Sequence, residues 1–334
     1  MTIDYDKLAN EPRLLMQVDL KPLQGDRFQP TGFPDLGPAR YNAPDGTEML
    51  LIESPQSVAN RMELACWDDA AQDLISDLRG LPFIRILDAK NRRVSNSLLE
   101  AHRINSEYIM KNAKRVVREN GKVAAAKDKD GKSVGEFNKE FAEEIEYEKD
   151  GRVNWQKFRE ALLKYDANSL IHGCFLEKID GRLRVTRALS GFIEARGAGV
   201  AESGGVKNNI VQPDLKGGEG NVPYHRTEFT AENITAYFNV DLALLRSYGL
   251  GNDVCRLLVA LALFKIQRFL STGLRLRTAC DLEPVGPIAV TRPKEGFAIP
   301  SEDVLLKECK GLIGKCKEAK RFTDPSVTEV QWKK

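Results

Sequence analysis

The segment RLLMQVDLK, Arg13 to Lys21, alternates along its whole length. Leu14, Met16, Val18 and Leu20 fall on one face, while Gln17, Asp19 and Lys21 fall on the other. A period of two is the pattern of a strand buried on one side only. GLRLRTACDL, Gly273 to Leu282, carries the same signature, with Leu274 and Leu276 facing one way and Arg275 and Arg277 the other. Strands of this kind need helices over the apolar face and leave the second face open. The fold class is therefore α+β.

An antiparallel sheet with one open polar face suggests a domain of the RNA-recognition type, whose open face binds single-stranded nucleic acid. The aromatic signature of that type is absent from these two strands. Backbone contacts are expected there in place of base stacking.

The stretch ESPQSVANRMELACW, Glu53 to Trp67, reads as a helix opening. Ser54 suits the N-cap and Pro55 the first helical position. Val58, Met62 and Ala65 form an apolar stripe, and Gln56, Ser57, Asn60 and Arg61 crowd beside it in the first two turns. Donors and a guanidinium at a helix N-terminus suit a phosphate. The competing reading is a solvated helix face.

Charge is patterned along the chain. The 50 basic and 48 acidic residues nearly cancel, so bulk charge does not announce nucleic acid. Residues 246–277, in contrast, hold Arg246, Arg256, Lys265, Arg268, Arg275 and Arg277 against Asp253 alone. Residues 111–150 mix both signs evenly and read as a solvated, mobile insertion. No stretch is long and apolar enough for a bilayer, and no signal-peptide pattern opens the chain. Six cysteines without metal-ligand spacing point to free thiols in a reducing cytoplasm, with no metal and no cofactor.

Further elements follow from local patterns. Helices are expected over Leu98 to Met110, Trp155 to Leu163 and Asp253 to Leu270, and a strand over Met49 to Ile52. Asp180-Gly181 in FLEKIDGRLRV suits a two-residue type I′ hairpin turn. Residues 197–226, rich in glycine, read as a long excursion from a sheet. Their AESGGVKNN and KGGEGN segments match no phosphate-loop motif, so a hairpin tip based on Lys207, Asn208 and Asn209 is the better reading.

Catalytic options are few. His172 lies in the apolar SLIHGCF, and His102 stands beside Arg103 on the expected helix. His225, next to Tyr224 and Arg226, is the one candidate base for a ribose hydroxyl. It lacks an acid partner in sequence, so contact with phosphate or base is preferred.

The blocks IESPQSVANRMELAC, SLLEAHRINSEYI, DANSLIHGCFLE, RALSGFIEA, AESGGVKNN, VPYHRTEFTAENITAYFNVDLALLRSYGLG and ALFKIQRFLSTGLRLRTACDL occur in that order. Together they resemble the backbone subunit of the type I-U (also called I-G) CRISPR Cascade complex, a member of the RAMP superfamily. The resemblance covers about residues 12–284.

It implies an RRM-like (ferredoxin-like) palm over 12–284 with finger and thumb elements inserted, the thumb within 197–226, and a C-terminal extension over 285–334. It also implies a non-catalytic subunit packed beside copies of itself along a CRISPR RNA, whose free bases pair with target DNA. Other Cascade subunits and a recruited helicase–nuclease are the further partners. Ser54, Gln56, Ser57, Asn60 and Arg61 fit the guide-contacting pattern of related subunits, and Lys207, Asn208, Asn209, His225 and Arg226 are the expected thumb contacts. Arg275 and Arg277 come from strand alternation alone, and face either RNA or acids of a neighbouring subunit. Type III relatives place a catalytic acid in a loop. Neither Asp19 nor Asp35 has a matching context, so no nuclease activity is expected. The alternatives are a metal-independent CRISPR RNA-processing endoribonuclease, using His225 or His102, and a generic single-stranded RNA-binding module.

Overall fold

The computed structural model describes residues 2–33, 35–119, 122–127, 131–208, 221–272 and 274–333. The chain opens with β1 (Arg13–Pro22), β2 (Glu48–Glu53) and α1 (Pro55–Leu64). Next come β3 (Phe83–Leu87), β4 (Arg93–Asn96), β5 (Ala113–Glu119) and β6 (Lys122–Ala125), then α2 (Phe137–Glu144), α3 (Trp155–Tyr165) and α4 (Asn168–His172). A small hairpin, β7 (Cys174–Phe175) and β8 (Arg184–Val185), precedes β9 (Leu189–Arg196). The long pair β10 (Gly199–Asn208) and β11 (Asn221–Thr230) leaves and returns before β12 (Asn233–Asp241). Helix α5 (Asn252–Ser271), β13 (Leu274–Arg277), β14 (Cys280–Pro284), α6 (Glu302–Glu318) and β15 (Val327–Trp332) complete the chain.

The main sheet runs in the order β13–β14–β1–β12–β9–β2. Its central neighbours β14, β1, β12 and β9 pair antiparallel throughout, and α1 and α5 supply the crossovers. The alternation of β1 has the expected consequence: Leu14, Met16, Val18 and Leu20 are buried while Asp19 and Lys21 are exposed. Ile234, Ala236, Phe238 and Val240 of β12, with Ile193 and Ala195 of β9, extend the same apolar face. Helix α5 is buried nearly all round, which is why its apolar run shows little amphipathic period. Each fully buried Leu or Phe there contributes about 1.5–3 kcal/mol. No helix of the described residues is long and apolar enough to cross a membrane.

The mixed-charge stretch 111–150 is folded where it is described. Strand β5 lies in a second sheet, ordered β6–β5–β15–β3–β4, in which β15 and β3 run parallel. Phe137 and Phe141 of α2 are fully buried against Tyr165. The evenly mixed charge that suggested solvation is spent partly in ion pairs, Arg115–Glu140 and Arg118–Glu329 among them. The segment after 285 is equally integral, since α6 packs on α5 and β15 sits in the middle of the second sheet.

Two local readings fail for backbone reasons. Leu98–Met110 is not one helix: Arg103 takes φ +52°, and Ser106 caps a separate turn by accepting the Tyr108 N–H at 3.2 Å. The β7–β8 hairpin closes with Phe175 opposite Arg184, around residues 176–183 and not around Asp180-Gly181. A type I′ turn needs positive φ at both central residues, and neither Asp180 nor Gly181 has it. The Asp180 carboxylate instead accepts from the Arg182 N–H at 2.8 Å and from its guanidinium.

A polar network crosses the core between α1, α4 and α5. Buried Glu63 accepts two bonds of 2.6 Å from the Arg103 fork. Asn168 bridges Glu63 to Lys265, and the Lys265 ammonium reaches His172 Nε2 at 2.9 Å. Burial, and then the positive Lys265 and Arg103, hold the His172 pKa well below its ordinary value, so the ring is neutral. Asp166 beside them is pushed up to about 6, chiefly by burial.

A carboxyl whose native pKa lies above its unfolded value favours folding when protonated, and that contribution is lost as pH rises from about 4 through about 6. Roughly two pK units correspond to about 3 kcal/mol. Asp166→Asn is expected to flatten the fall in stability between pH 4 and 6, read as urea midpoints across that range. A variant profile parallel to wild type would remove Asp166 as its source.

Candidate nucleic-acid interface

Helix α1 forms as its sequence dictates. The Ser54 hydroxyl accepts the Ser57 N–H at 3.3 Å, Pro55 occupies the first position, and Val58 and Met62 are buried. The polar crowd beside this stripe is partnered within the chain. Gln56 donates to Asn60 at 3.0 Å and accepts from Arg187 at 2.7 Å. Ser57 is half-buried with its N–H taken by the cap.

Arg61 reaches away from the helix to β13, where its guanidinium donates to the Arg275 carbonyl at 3.3 Å and to that of Leu276. The alternation expected of β13 is present: Leu274 and Leu276 are buried, and the Arg275 side chain is 81% exposed. Arg277 is drawn inward. It pairs with Glu53 and donates to the Gln29 carbonyl at 3.0 Å. Glu53 itself is only 1% exposed and lies 3.8 Å from the Arg61 Nε, so one buried carboxylate serves two guanidinium groups.

The β10–β11 pair joins this cluster at its base. Phe28 and Phe229 exchange backbone bonds of 2.8 and 2.9 Å, both rings buried. The Gln29 N–H continues to the Ala279 carbonyl at 2.8 Å. That staple holds Arg226 against Gln29 Oε1 at 2.9 Å and the Thr278 carbonyl at 3.1 Å. Arg61 and Arg226, far apart in sequence, thus gather with Arg275 and Arg277 around residues 275–279.

Lys207 and Asn208 lie on β10, paired by register with Val222 and Asn221, and Asn209 falls outside the described residues. His225 is exposed near the middle of β11, with its Nε2 against the Glu202 carboxylate. Glu202 is paired by register with Thr227, two residues on, so the contact is a diagonal cross-strand one. The carboxylate partner missing in sequence is supplied by strand register.

The face of the sheet turned from the helices carries a feature the two inspected strands could not reveal. Phe192 of β9 and Tyr237 of β12 are register partners, and their rings stack with centroids 5.1 Å apart. Both are half-buried. Cross-strand aromatic pairs show in sequence only once both strands and their register are known.

The Glu53 pairing generates a direct test. Glu53→Ala leaves two half-buried guanidinium groups without their carboxylate and is expected to destabilise the fold by about 3 kcal/mol. Arg275→Ala, at an exposed and weakly paired position, is expected to stay within about 0.5 kcal/mol. Denaturant titration of both variants checks the contrast, and equal effects would show that Glu53 carries no such role.

Comparison with known proteins adds independent findings. A family model described as CRISPR-associated protein GSU0053 matches residues 14–200. Among solved structures, a chain of a CRISPR RNA-guided surveillance complex, pre-nicking, is similar at 14% identity, covering 92% of this chain and 87% of its own, with a TM-score of 0.43. Csc2 of Thermofilum pendens is similar at 10% identity, covering 94% and 79%, with a TM-score of 0.30. No curated protein matches significantly.

Proposed function

The chain belongs to the GSU0053 family of CRISPR-associated proteins, and from that premise we propose that it is a non-catalytic backbone subunit assembling along CRISPR RNA in a type I-U (I-G) Cascade effector. Copies pack side by side in the cytoplasm, and the guide bases left free pair with target DNA. The remaining Cascade subunits and a recruited helicase–nuclease complete the system.

One observation carries the reading: a long two-stranded hairpin is inserted between the neighbouring strands β9 and β12, with Arg226, midway along its returning strand, bound into the arginine cluster. A hairpin so placed suits a thumb that separates bases, and the cluster suits the phosphates beside it. The connectivity β1–α1–β9–β12–α5–β14, with spatial order β14–β1–β12–β9, supports a ferredoxin-like, RRM-like palm. Arg275, exposed on β13, is the cation best placed for a phosphate. Arg61 and Arg277 would act mainly by holding that strand and lending positive potential.

The His225–Glu202 pair favours a second reading, an RNA-processing endoribonuclease in which Glu202 orients His225 as general base.

Native mass of the protein mixed with single-stranded CRISPR RNAs of increasing spacer length separates these readings. The backbone role requires mass rising in equal steps of one subunit per fixed added length. Arg275→Ala is expected to flatten the salt dependence of binding by about 0.7 in slope, the share of one single-strand phosphate. One protein per RNA at every length would mark a simple binding module. RNA shortened without metal, and spared by His225→Ala, would establish the nuclease.

A further inference from the structure

A cavity of about 750 Å³ opens between the first turn of α1 and the β7–β8 hairpin. Gln56 lines it from the helix, and Phe175, Arg184 and Arg187 from the hairpin side. Apart from Gln56, these residues belong to none of the contacts expected from the sequence. The volume lies within the usual range of small-ligand clefts.

Register places Phe175 directly opposite Arg184, so ring and guanidinium share one face of the hairpin. Phe175 is 47% exposed. Arg184 is exposed and makes no hydrogen bond or ion pair among the described residues. Arg187 is half-buried, and its bonds go to neutral acceptors: the Pro55 carbonyl at 3.1 Å and Gln56 Oε1 at 2.7 Å. Its Nε is buried with no partner. Burial, and then the like charge of Arg103, lower its pKa against a smaller opposing pull from Glu63, which forms no ion pair with it.

His172 also lines the cavity, fully buried. Lys265 donates to its Nε2 at 2.9 Å, which puts the proton of the neutral ring on Nδ1. That Nδ1–H has no acceptor. A buried donor left unmatched is unfavourable, and a ligand acceptor would relieve it. Of the two carboxylates at the rim, Glu107 is held by Lys178 at 3.1 Å, and Glu177 stands exposed. The wall therefore combines two arginines without carboxylates, buried donors without acceptors and an uncovered aromatic ring.

We propose that this cavity holds one unpaired nucleotide of a single nucleic-acid strand, its phosphodiester on Arg184 and Arg187 and its base stacked on Phe175. Guanidinium forks match phosphate oxygens, and a single-strand base stacks on an aromatic ring whatever its identity. The inference rests on the nucleic-acid-binding reading for its ligand, while its contacts are separate from the arginine cluster.

Photocrosslinking with the full-length protein tests it, using single strands that carry 5-iodouridine in RNA or 5-iododeoxyuridine in DNA. A crosslink at Phe175 with the RNA assigns the cavity to a guide-type strand. A crosslink there with the DNA alone assigns it to a target-type strand. In the matching binding assay Phe175→Ala is expected to weaken affinity about 5- to 100-fold, with Phe175→Trp restoring it. Arg184→Ala is expected to flatten the salt slope by about 0.7. Both sites are exposed, so unchanged melting temperatures accompany the result. Crosslinks confined to the hairpin and arginine cluster, with pocket variants binding normally, would overturn this assignment and leave the backbone reading standing. Absence of any binding would overturn both.

Discussion

The arrangement of the basic face depends on one buried carboxylate. Glu53 ends β2, immediately before the Ser54 cap, and is almost wholly withdrawn from water. An isolated carboxylate there would be expensive to bury, so the fold must bring cations to it. Arg61 comes from α1 and Arg277 from β13, which fastens the helix to the edge of the sheet. Arginine suits the task better than lysine, because its fork bonds Glu53 and the Gln29 carbonyl from one planar group. The strand that presents Arg275 is therefore held from both sides.

Helix α1 links this cluster to the second polar centre. Its C-terminal half carries Glu63, paired with Arg103, and its first turn receives Arg187 from the segment before β9. The helix separates two basic regions, one around 275–279 and one around the Phe175 cavity. Glu53 is the counter-charge of the first, whereas Glu63, behind the second, is taken by Arg103, so the cavity arginines form no ion pair with it. A disturbance at Glu53 reaches the first region through β13, whereas one at Glu63 reaches the second through Arg103 and the Gly173 carbonyl it binds at 3.3 Å.

The main sheet was legible in sequence where a strand has one wet face, as in β1 and β13, since burial imprints a period of two. Helices with a cap and a stripe, α1 and α3, were legible for the same kind of reason. Legibility ended where tertiary contacts overrule local preference. Arg103 turns inward to Glu63 and breaks the expected helix over 98–110. The charges of 111–150 find partners as distant as Glu329, which no local window can show. Of the expected contact residues, Arg226 and Arg277 are both held by Gln29, a residue with no signal of its own. The pairing of His225 with Glu202 and the stack of Phe192 on Tyr237 needed register, which sequence periodicity does not specify.

Intramolecular bonding of Arg61, Arg226 and Arg277 does not oppose a role beside a polyanion. Their bonds go largely to carbonyl oxygens, which engage the N–H groups without cancelling the charge; among the described residues, Glu53 and, at 3.5 Å from Arg226, Glu228 are the carboxylates near them. The region keeps a positive potential while its side chains have already lost their rotamer freedom, so little further ordering is required on binding. In the proposed backbone role a near-neutral whole chain would serve assembly, because copies packed side by side with a large net charge would repel. In that role each copy would need only a few phosphate contacts, since linkage along one strand multiplies weak binding through effective concentration. A strongly basic protein would hold any nucleic acid tightly as a monomer. Local cations on a balanced chain favour binding that becomes tight only when neighbours are present.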